Sequence, residues 1–297
     1  MWEFLQGTLS FLTLGLFQGA VYGLLAVGLV LVYKGTRVFN FTQGEFGTVA
    51  AFVTWALLVH AGWSYWLAVL AALLAAVVLG LLTEQLVVRP LLESSRITLL
   101  VATVGVALFV IALTALIAQP EPRVLEPAVA GDSVSVFGAG IAPQRFLIVG
   151  VLAVVAVALA WFFSRTDLGL AVLATSQDTF ATKVLGISTP MVSRLIWGMA
   201  ALLGGVAGVM QAPIDVFYPG FMTAVTLVPA FTAAVLGGMT SLPGAFVGGV
   251  LLGMARGLGE YVLGQQLGIP GATELTVFLM LLAVLLVRPA GLLGKEA

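Results

Sequence analysis

Nine long runs of apolar residues dominate this chain and limit the folds that it can adopt. They lie at about 9–33, 46–62, 64–86, 97–118, 146–164, 192–212, 224–239, 244–263 and 273–288. A helix needs about 20 consecutive apolar residues to cross the hydrocarbon core of a bilayer. Because lipid offers the backbone no hydrogen-bond partners, apolar segments of this length cross as helices. The runs therefore predict an all-α, polytopic transmembrane helical bundle with about eight or nine spans.

The composition agrees with a membrane protein and excludes several classes of function. Apolar residues make up 61% of the 297 residues, charged residues only 8%, and the mean hydropathy is +1.16. The net charge of −1 gives no basis for binding nucleic acid. Without cysteine there are no disulfides, thiolate nucleophiles or thiolate metal sites. No phosphate-binding loop and no catalytic or metal-ligating constellation is present. We expect no enzyme activity, cofactor or metal in this chain.

The basic residues predict how the chain is oriented in the membrane. With the N-terminus outside, nine of the 12 basic residues lie at cytoplasmic ends of spans, two lie outside and Arg256 lies within a span. The cytoplasmic nine are Lys34, Arg37, Arg89, Arg96, Arg165, Lys183, Arg194, Arg288 and Lys295, against Arg123 and Arg145 outside. Positive residues favour the cytoplasm, so we expect an N-out, C-in chain with an odd number of crossings. The weakest runs, 46–62 and 224–239, would preserve this parity if they formed a re-entrant pair instead.

We expect one integral membrane domain over residues 1–297, with two hydrophilic segments that have structure of their own. Residues 119–145 contain prolines and the alternation Val134, Val136, which predicts an external loop with a small hairpin. Residues 165–191 are helical in pattern and are predicted to be cytoplasmic.

A polar interruption at 34–46, KGTRVFNFTQGEF, separates the first two apolar runs. Thr42 and Glu45 have capping-box spacing, so the residues could simply begin the second helix. Alternatively, a helix break within the membrane can hold a solute, because its free N–H groups and positive dipole end attract an anionic group. Asn40, Thr42, Gln43 and Glu45 would then line the substrate pathway. Such a site could hold a carboxylate on N–H groups and an ammonium on Glu45, or a neutral amide on Asn40 and Gln43.

The helical segment 165–191 has one apolar and one polar face. At a period of 3.6 residues the apolar face contains Leu170, Leu173, Phe180, Val184 and Ile187, and the polar face contains Thr175, Asp178, Thr179 and Thr182. Gly186 is placed to end the helix. One interpretation is a helix lying on lipid. Such helices usually have a Lys/Arg-rich polar face, and this one has only Lys183, so we favour docking to a cytoplasmic partner.

Glycines repeat every four residues in three helices, as Gly15, Gly19 and Gly23, as Gly204 and Gly208, and as Gly249, Gly253 and Gly257. Small residues at this spacing let helices approach closely in lipid. Packing within the chain is the favoured interpretation, and a pore-lining or subunit-contact role is the alternative. Arg256 and Glu260 are four residues apart in the eighth run, so they could form a structural ion pair or mark a functional site.

Several motifs resemble a known family. The first motif is Gly19-x-x-Tyr22 with GLLAVGLVLVY and RVFNFTQGEF. It is followed by the stretch GLAVLATSQDTFATKVLGIS, the stretch AAVLGGMTSLPGAFVGGVLLG and the terminal VRPAGLLGK. Their order resembles that in the H-type permease subunit of branched-chain amino acid (LIV) ABC importers. The form NF-x-x-GEF favours the H-type over the sister M-type subunit. This family usually has His where this chain has Gln43, and basic residues where it has Leu170 and Leu173.

The resemblance implies an ATP-driven importer in a bacterial or archaeal cytoplasmic membrane. Its partners would be an M-type permease subunit, two cytoplasmic ATPase subunits that bind ATP and Mg, and an external solute-binding protein. The segment 165–191 would couple to the ATPases through Leu173, Gln177, Asp178, Phe180, Val184 and Gly186. Family members carry branched-chain amino acids, urea or short amides, so the solute is left open. The rival interpretation is a self-sufficient secondary transporter or channel that uses Glu45 or Glu260 as an ion site.

Overall fold

Helices built from the nine apolar runs account for most of the described structure. The computed structural model describes residues 2–294, apart from the side chains of Trp2, Glu3, Thr179 and Phe180. The helices are α1 (Trp2–Thr36), α2 (Gln43–Val59), α3 (Tyr65–Thr83), α4 (Arg96–Ala118), α5 (Pro143–Arg165), α6 (Asp167–Gln177), α7 (Thr179–Val184), α8 (Thr189–Gln211), α9 (Val228–Gly237), α10 (Leu242–Gly259) and α11 (Ala272–Val287). The predicted all-α class is confirmed.

Three of these helices continue through turns wider than an α-helix. Such π turns are Glu84–Val88 after α3, Met222–Leu227 before α9 and Glu260–Gln266 after α10. A short 3₁₀ turn, Arg89–Leu91, ends the α3 segment. Single π turns inside helices are rare and occur frequently at functional sites. Two of the three hold polar residues of the candidate sites described below.

Six helical segments are long and apolar enough to cross a bilayer, and three apolar helices are shorter. The six are Phe4–Thr36, Tyr65–Leu91, Arg96–Ala118, Pro143–Arg165, Thr189–Gln211 and Leu242–Gln266, and the three are Gln43–Val59, Met222–Gly237 and Ala272–Val287. A 17-residue helix such as α2 is about 25 Å long, slightly less than the hydrocarbon core of about 30 Å. The chain is thus a multi-pass membrane protein. The count of eight or nine spans and the N-out orientation stay predictions.

The chain divides into two compact units. The first contains Met1–Val30, Pro127–Leu152 and Val228–Ala297, and the second contains Leu31–Glu126 and Ala153–Leu227. Helices α1 and α5 contribute residues to both units. The single domain predicted for residues 1–297 stays a prediction.

Close helix contacts in each unit are made by glycine. In the first unit the glycines of α1 face those of α10: a Cβ on Gly19 would lie 2.7 Å from the Gly249 carbonyl oxygen. In the second unit α8 packs on α2, and a Cβ on Gly47 would lie 2.7 Å from the Gly204 carbonyl oxygen. Packing within the chain is therefore confirmed for these glycine repeats.

The predicted hairpin in the 119–145 segment is present. Strands β1 (Val134–Val136) and β2 (Ala139–Ile141) pair antiparallel, with Val134 opposite Ile141. Phe137 and Gly138 form the turn with φ values of +50° and +87°, as a type I′ hairpin turn requires. Ile141 is buried against Phe17 of α1. The external position of this loop stays a prediction.

Arg256 does not form the ion pair that its spacing from Glu260 suggests. Among the described residues no carboxylate oxygen lies within 4 Å of the Arg256 guanidinium, which instead lies over the Tyr22 ring, 5.6 Å from its centre. Glu260 begins the π turn at the end of α10. The predicted pair is therefore not a direct salt bridge, and Arg256 interacts with Glu274 and Glu260 through longer-range Coulombic attraction.

The connection between α9 and α10, residues 238–241, is a local helix break, which we call the second break. Gly238 adopts φ +102°, and the Ser241 hydroxyl accepts a hydrogen bond from the Gly244 N–H at 3.1 Å, as an N-cap does. The N–H groups of Leu292 and Leu293 donate to the last carbonyls of α9, Leu236 at 2.8 Å and Gly237 at 3.0 Å. The terminal VRPAGLLGK motif thus completes the end of α9.

Candidate functional site

The polar interruption between α1 and α2 is also a helix break. It covers residues 37–42, and because it comes earlier in the sequence we call it the first break. Helix α1 ends at Thr36, and Arg37 takes a left-handed conformation with φ +57°. The Asn40 side chain then shapes the turn: its Oδ1 accepts from the Thr42 N–H at 3.0 Å, and its Nδ2 donates to Gln43 Oε1 at 3.1 Å. An asparagine that binds the backbone two residues ahead is a common turn former. The sequence therefore places the break at this asparagine.

Side chains from other helices of the second unit hold the first break. The Thr42 hydroxyl donates to the Thr103 carbonyl of α4 at 3.0 Å. The Thr103 hydroxyl donates to the Phe39 carbonyl at 2.9 Å and accepts from the Phe41 N–H at 3.3 Å. From the other side, Gln43 Nε2 donates to the Ala200 carbonyl of α8 at 2.8 Å. The break is thus tied to α4 and α8, which are far away in sequence.

Glu45 lies in the first turn of α2 and contacts the π turn before α9. The Thr223 hydroxyl donates to Glu45 Oε1 at 2.6 Å. The other oxygen, Oε2, is buried and has no hydrogen-bond partner among the described residues. Gly44 makes this approach possible, because a Cβ there would lie 2.9 Å from the Thr223 backbone nitrogen. A buried carboxylate oxygen without a partner is costly, so this atom is suited to accept from a donor other than those that the described residues supply.

The predicted capping box is not formed. Thr42 has helical angles, φ −74° and ψ −8°, and its side chain makes no cap hydrogen bond. An N-cap side chain reaches the N–H groups of the first turn from an extended backbone, and the Thr42 hydroxyl instead binds α4. The Glu45 carboxylate binds Thr223, and the Thr42 N–H binds Asn40. The capping box is therefore wrong, and a role of this motif beyond the start of α2 stays a prediction.

All four residues predicted for the substrate pathway come together at the first break. Asn40, Thr42, Gln43 and Glu45 are all fully buried. The side chains of the first three already have hydrogen-bond partners within the second unit. Of the four side chains, only the Glu45 carboxylate has an oxygen without a partner among the described residues. Binding a solute ammonium at Glu45 therefore needs less rearrangement than binding a neutral amide at Asn40 and Gln43. Thr223 and Thr103 escaped the sequence analysis, because they belong to apolar helices without a motif.

The segment 165–191 forms two helices instead of one. Helix α6 ends at Gln177, Asp178 takes an extended conformation (φ −146°, ψ 104°), and its carboxylate accepts from the Ala181 N–H at 2.9 Å to begin α7. Gly186 has φ +81° and ends the segment's second helix, as expected. Because the helical period is interrupted at Asp178, the predicted faces do not continue through it: Thr175 and Thr182, placed on the polar face, are buried.

Of the six residues predicted to couple to the ATPases, Val184 is the most exposed apolar side chain. It is 71% exposed, Leu173 is half-buried, Gln177 and Asp178 are exposed, and the Phe180 side chain lies outside the described part. Leu185, which the sequence analysis missed, is 77% exposed beside it. Val184 and Leu185, with the similarly exposed Leu170 and Met191, give this segment an apolar surface, here called the coupling surface. Their role stays a prediction.

A buried polar cluster links the end of α3 to the start of α8, immediately after the coupling surface. Glu84 is fully buried in the π turn, where it accepts from the Ser193 hydroxyl at 2.8 Å and pairs with Arg89 at 3.2 Å. Arg89 also donates to the Pro190 carbonyl at 3.2 Å. The sequence analysis missed this cluster, although a carboxylate inside an apolar run is a signal that points to function.

Within residues 2–294, no group of three or more histidine, aspartate or glutamate side chains is placed to hold a metal ion. The geometry consists of hydrogen-bonded helix breaks and exposed apolar surface. It can hold a small solute or a partner protein.

Comparisons with known proteins place the chain in a family. Residues 11–287 match the family described as branched-chain amino acid transport system, permease component. The high-affinity branched-chain amino acid transport system permease protein BraD of Pseudomonas aeruginosa is 34% identical over 95% of this chain and 94% of its own length. LivH of Escherichia coli K12, a permease protein described in the same words, is 31% identical over the same shares. A probable LivH from Methanocaldococcus jannaschii is 25% identical over 92% of this chain and 88% of its own.

A solved structure shares the fold. PsaBC from Streptococcus pneumoniae in complex with Fab matches with a TM-score of 0.53 and 16% identity, over 97% of this chain and 96% of the other. The resemblance to the H-type subunit is confirmed by the BraD and LivH relatives. The chain therefore belongs to the permease family of branched-chain amino acid ABC transport systems and is a transport component rather than an enzyme.

Proposed function

We propose that this chain forms one half of the solute pathway of an ATP-driven importer of branched-chain amino acids. The observation that carries the proposal is the first break, where Glu45 is buried with one oxygen that has no partner among the described residues. An amino acid brings an ammonium that can satisfy this oxygen. Desolvated charge pairs of this kind contribute strongly to binding when the geometry is good.

The solute class follows from the relatives and from the chemistry of the break. BraD and LivH are described as branched-chain amino acid permeases. In the proposed complex the solute ammonium pairs with Glu45, and rearranged side chains of Asn40 and Gln43 contact its carboxylate. Short amides and urea are the alternative, favoured by the glutamine at position 43. They have no ammonium for Glu45, so competition for uptake separates the two classes.

The partners would be those of the family: an M-type permease subunit, two cytoplasmic ATPase subunits that bind ATP and Mg, and an external solute-binding protein. The chain would lie in the cytoplasmic membrane of a bacterium or archaeon, N-terminus outside and C-terminus inside. The coupling surface supports this proposal, because exposed apolar side chains on α6, at the end of α7 and at the start of α8 suit a docking groove better than water.

The polar cluster at Glu84 gives the proposed motion a path. When the ATPases close, they would push α6 and α7, and α8 follows this segment directly. Arg89 holds the first turn of α8 through Pro190, and Glu84 holds it through Ser193. The push would therefore reach α3 and α8 together. Helix α8 carries Ala200, which binds Gln43 at the first break.

The proposal is tested on the complex co-expressed with its ATPase and binding-protein partners. Labelled leucine, isoleucine and valine should be taken up, and excess urea or acetamide should not compete. Uptake should disappear when the ATPase subunits are omitted. Uptake that persists without ATPases would instead support a self-sufficient secondary transporter or channel.

Coupling to the ATPases is tested at Val184, the exposed apolar residue of the predicted coupling set whose side chain is described. Val184→Asp should abolish solute-stimulated ATP hydrolysis, because placing an unpaired carboxylate in an apolar groove costs several kcal/mol or more. Phe180→Asp should act in the same direction. Val216→Asp, at a half-exposed position outside the coupling segment, is the matched control and should keep stimulation. Unchanged stimulation in an assembled Val184→Asp complex would show that this surface does not dock.

The orientation is tested with reporters. A reporter fused after Ala297 should be cytoplasmic, and one inserted near Gly131 should be external. Finding both on the same side would contradict the N-out, C-in orientation.

A further inference from the structure

An open apolar groove lies within the second unit, between α2, α3 and α4. Its volume is about 830 Å³. Leucine, valine and phenylalanine side chains form most of its walls, among them Leu82, Phe109 and Leu113. These three are between 41% and 65% exposed, so they would meet lipid in a membrane. The proposed transport mechanism uses none of them.

The length of the groove matches one leaflet of a bilayer. Along α4 its lining runs from Val106 to Ala118, which at 1.5 Å per residue is about 18 Å. Half of a hydrocarbon core of about 30 Å is about 15 Å. A groove of this length with apolar walls suits an acyl chain.

One end of the groove is polar and cationic. Arg123, His60 and Gln119 line it there. The Arg123 guanidinium lies over the Trp55 ring, 3.9 Å from its centre, and donates to the Ala118 carbonyl. Its Nη1 is buried without a hydrogen-bond partner, and no carboxylate oxygen lies within 4 Å of it in the part of the chain that the structure describes. An arginine held on an aromatic ring with unused donors is suited to bind an anionic oxygen, and its planar fork matches phosphate.

We propose that this groove binds a glycerophospholipid, with its phosphate at Arg123 and an acyl chain along α4. The lipid would belong to the leaflet on the side of the 119–145 segment. The phosphate supplies the acceptor that Arg123 Nη1 lacks, and the acyl chain covers apolar side chains over the depth of that leaflet. A free anion would leave the apolar walls uncovered, and a hydrocarbon without a phosphate would leave Arg123 unpaired.

The first experiment measures lipid that stays bound to the purified permease complex. Native mass spectrometry in mild detergent with added phosphatidylglycerol should show one retained lipid per groove, and diacylglycerol with the same acyl chains should not be retained. Arg123→Gln should lower the retained fraction at least about tenfold, because it removes a charge-assisted bond. Arg96→Gln, an exposed arginine outside the groove, is the control and should retain lipid like the wild type.

A second variant keeps Arg123 in place, since Arg123→Gln also removes its contacts with Trp55 and Ala118. Leu113→Trp should fill the groove and abolish retention. Leu116→Trp, at a position on α4 that is 81% exposed and does not line the groove, should not. Equal retention in wild type, Arg123→Gln and Leu113→Trp would overturn the proposal. So would efficient crosslinking of a single cysteine at Leu113 to the second permease subunit, which the absence of native cysteine makes simple to measure.

Discussion

The two helix breaks of this chain differ in how their polar side chains are bonded. The second break, 238–241, is capped locally on its α10 side by Ser241, and the N–H groups of Leu292 and Leu293 from the C-terminal segment complete the end of α9. At the first break, 37–42, and in the first turn of α2, the side chains of Thr42, Gln43 and Glu45 bind α4, α8 and the π turn before α9. One Glu45 oxygen has no hydrogen-bond partner among the described residues, whereas the Ser241 cap is complete.

This difference suggests a structural role for the second break and a functional role for the first. The Ser241 cap is local and satisfies the start of α10 by itself. At the first break, Thr42 and Gln43 are hydrogen-bonded to α4 and α8, so any shift of these helices changes the geometry of the break directly. A site that must respond to moving helices needs side chains bonded to those helices, as at the first break. The following predictions test whether the two breaks differ in this way.

The largest effect is expected at the carboxylate. Glu45→Gln removes one partner of a desolvated charge pair, which should cost about 2–5 kcal/mol of binding free energy. We therefore expect uptake of a branched-chain amino acid to fall at least tens-fold. The measurement is uptake at matched protein levels in the assembled complex. Glu274→Gln, the same change at an exposed position in the first turn of α11, should leave uptake within about twofold. Near-wild-type uptake by Glu45→Gln, with Asn40→Ala equally silent, would leave the first break a structural anchor only.

A second effect is expected where the π turn approaches α2. Gly44→Ala should destabilise the permease by about 1–3 kcal/mol, because its Cβ would crowd the Thr223 backbone and overpack the contact. Gly105→Ala is the matched control: no atom of the described structure lies within 4 Å of a Cβ at this α4 position. It should be neutral or stabilise the helix by up to about 1 kcal/mol. Both are read from the unfolding midpoint of the purified complex, and equal midpoints would show that Gly44 has no packing role.

The tether to α4 should have a smaller effect that identifies its partner. Thr42→Val keeps the shape but removes the side-chain donor to the buried Thr103 carbonyl, which keeps its bond within α4, so the expected cost is about 0.5–1.5 kcal/mol of stability. Thr42→Ser keeps the hydroxyl and should recover most of the loss. A capping role would make Thr42→Gly nearly as stable as wild type, since glycine is tolerated at an N-cap. That outcome would contradict the tether.

The smallest effect is expected at the second break. Ser241→Ala removes a local cap and should cost about 1 kcal/mol in the same unfolding assay, while uptake per folded complex stays unchanged. Ser241→Asp, another capping residue, should recover the stability. A large loss of uptake in a stable Ser241→Ala complex would show that the two breaks are alike after all.

Local patterns were sufficient for much of this structure. The apolar runs gave all nine apolar helices, the Val134, Val136 alternation gave the hairpin, and Gly186 gave the end of α7. These features depend on residues close together in sequence. The capping box failed for the complementary reason: Thr42 and Glu45 have the right spacing, but Thr103 and Thr223 compete for their side chains.

The sequence by itself determined that this chain forms apolar helices in a membrane, which residues interrupt them and which family the motifs resemble. Hydropathy, glycine spacing and turn residues act locally, so they can be read along the chain. Only the tertiary structure decided which partners the polar side chains find. It placed the Arg256 guanidinium over the Tyr22 ring, joined Glu84 to Ser193 and left one Glu45 oxygen without a hydrogen-bond partner among the described residues. A buried polar group takes whichever donor or acceptor packing brings within about 3 Å, and residues distant in sequence supply it.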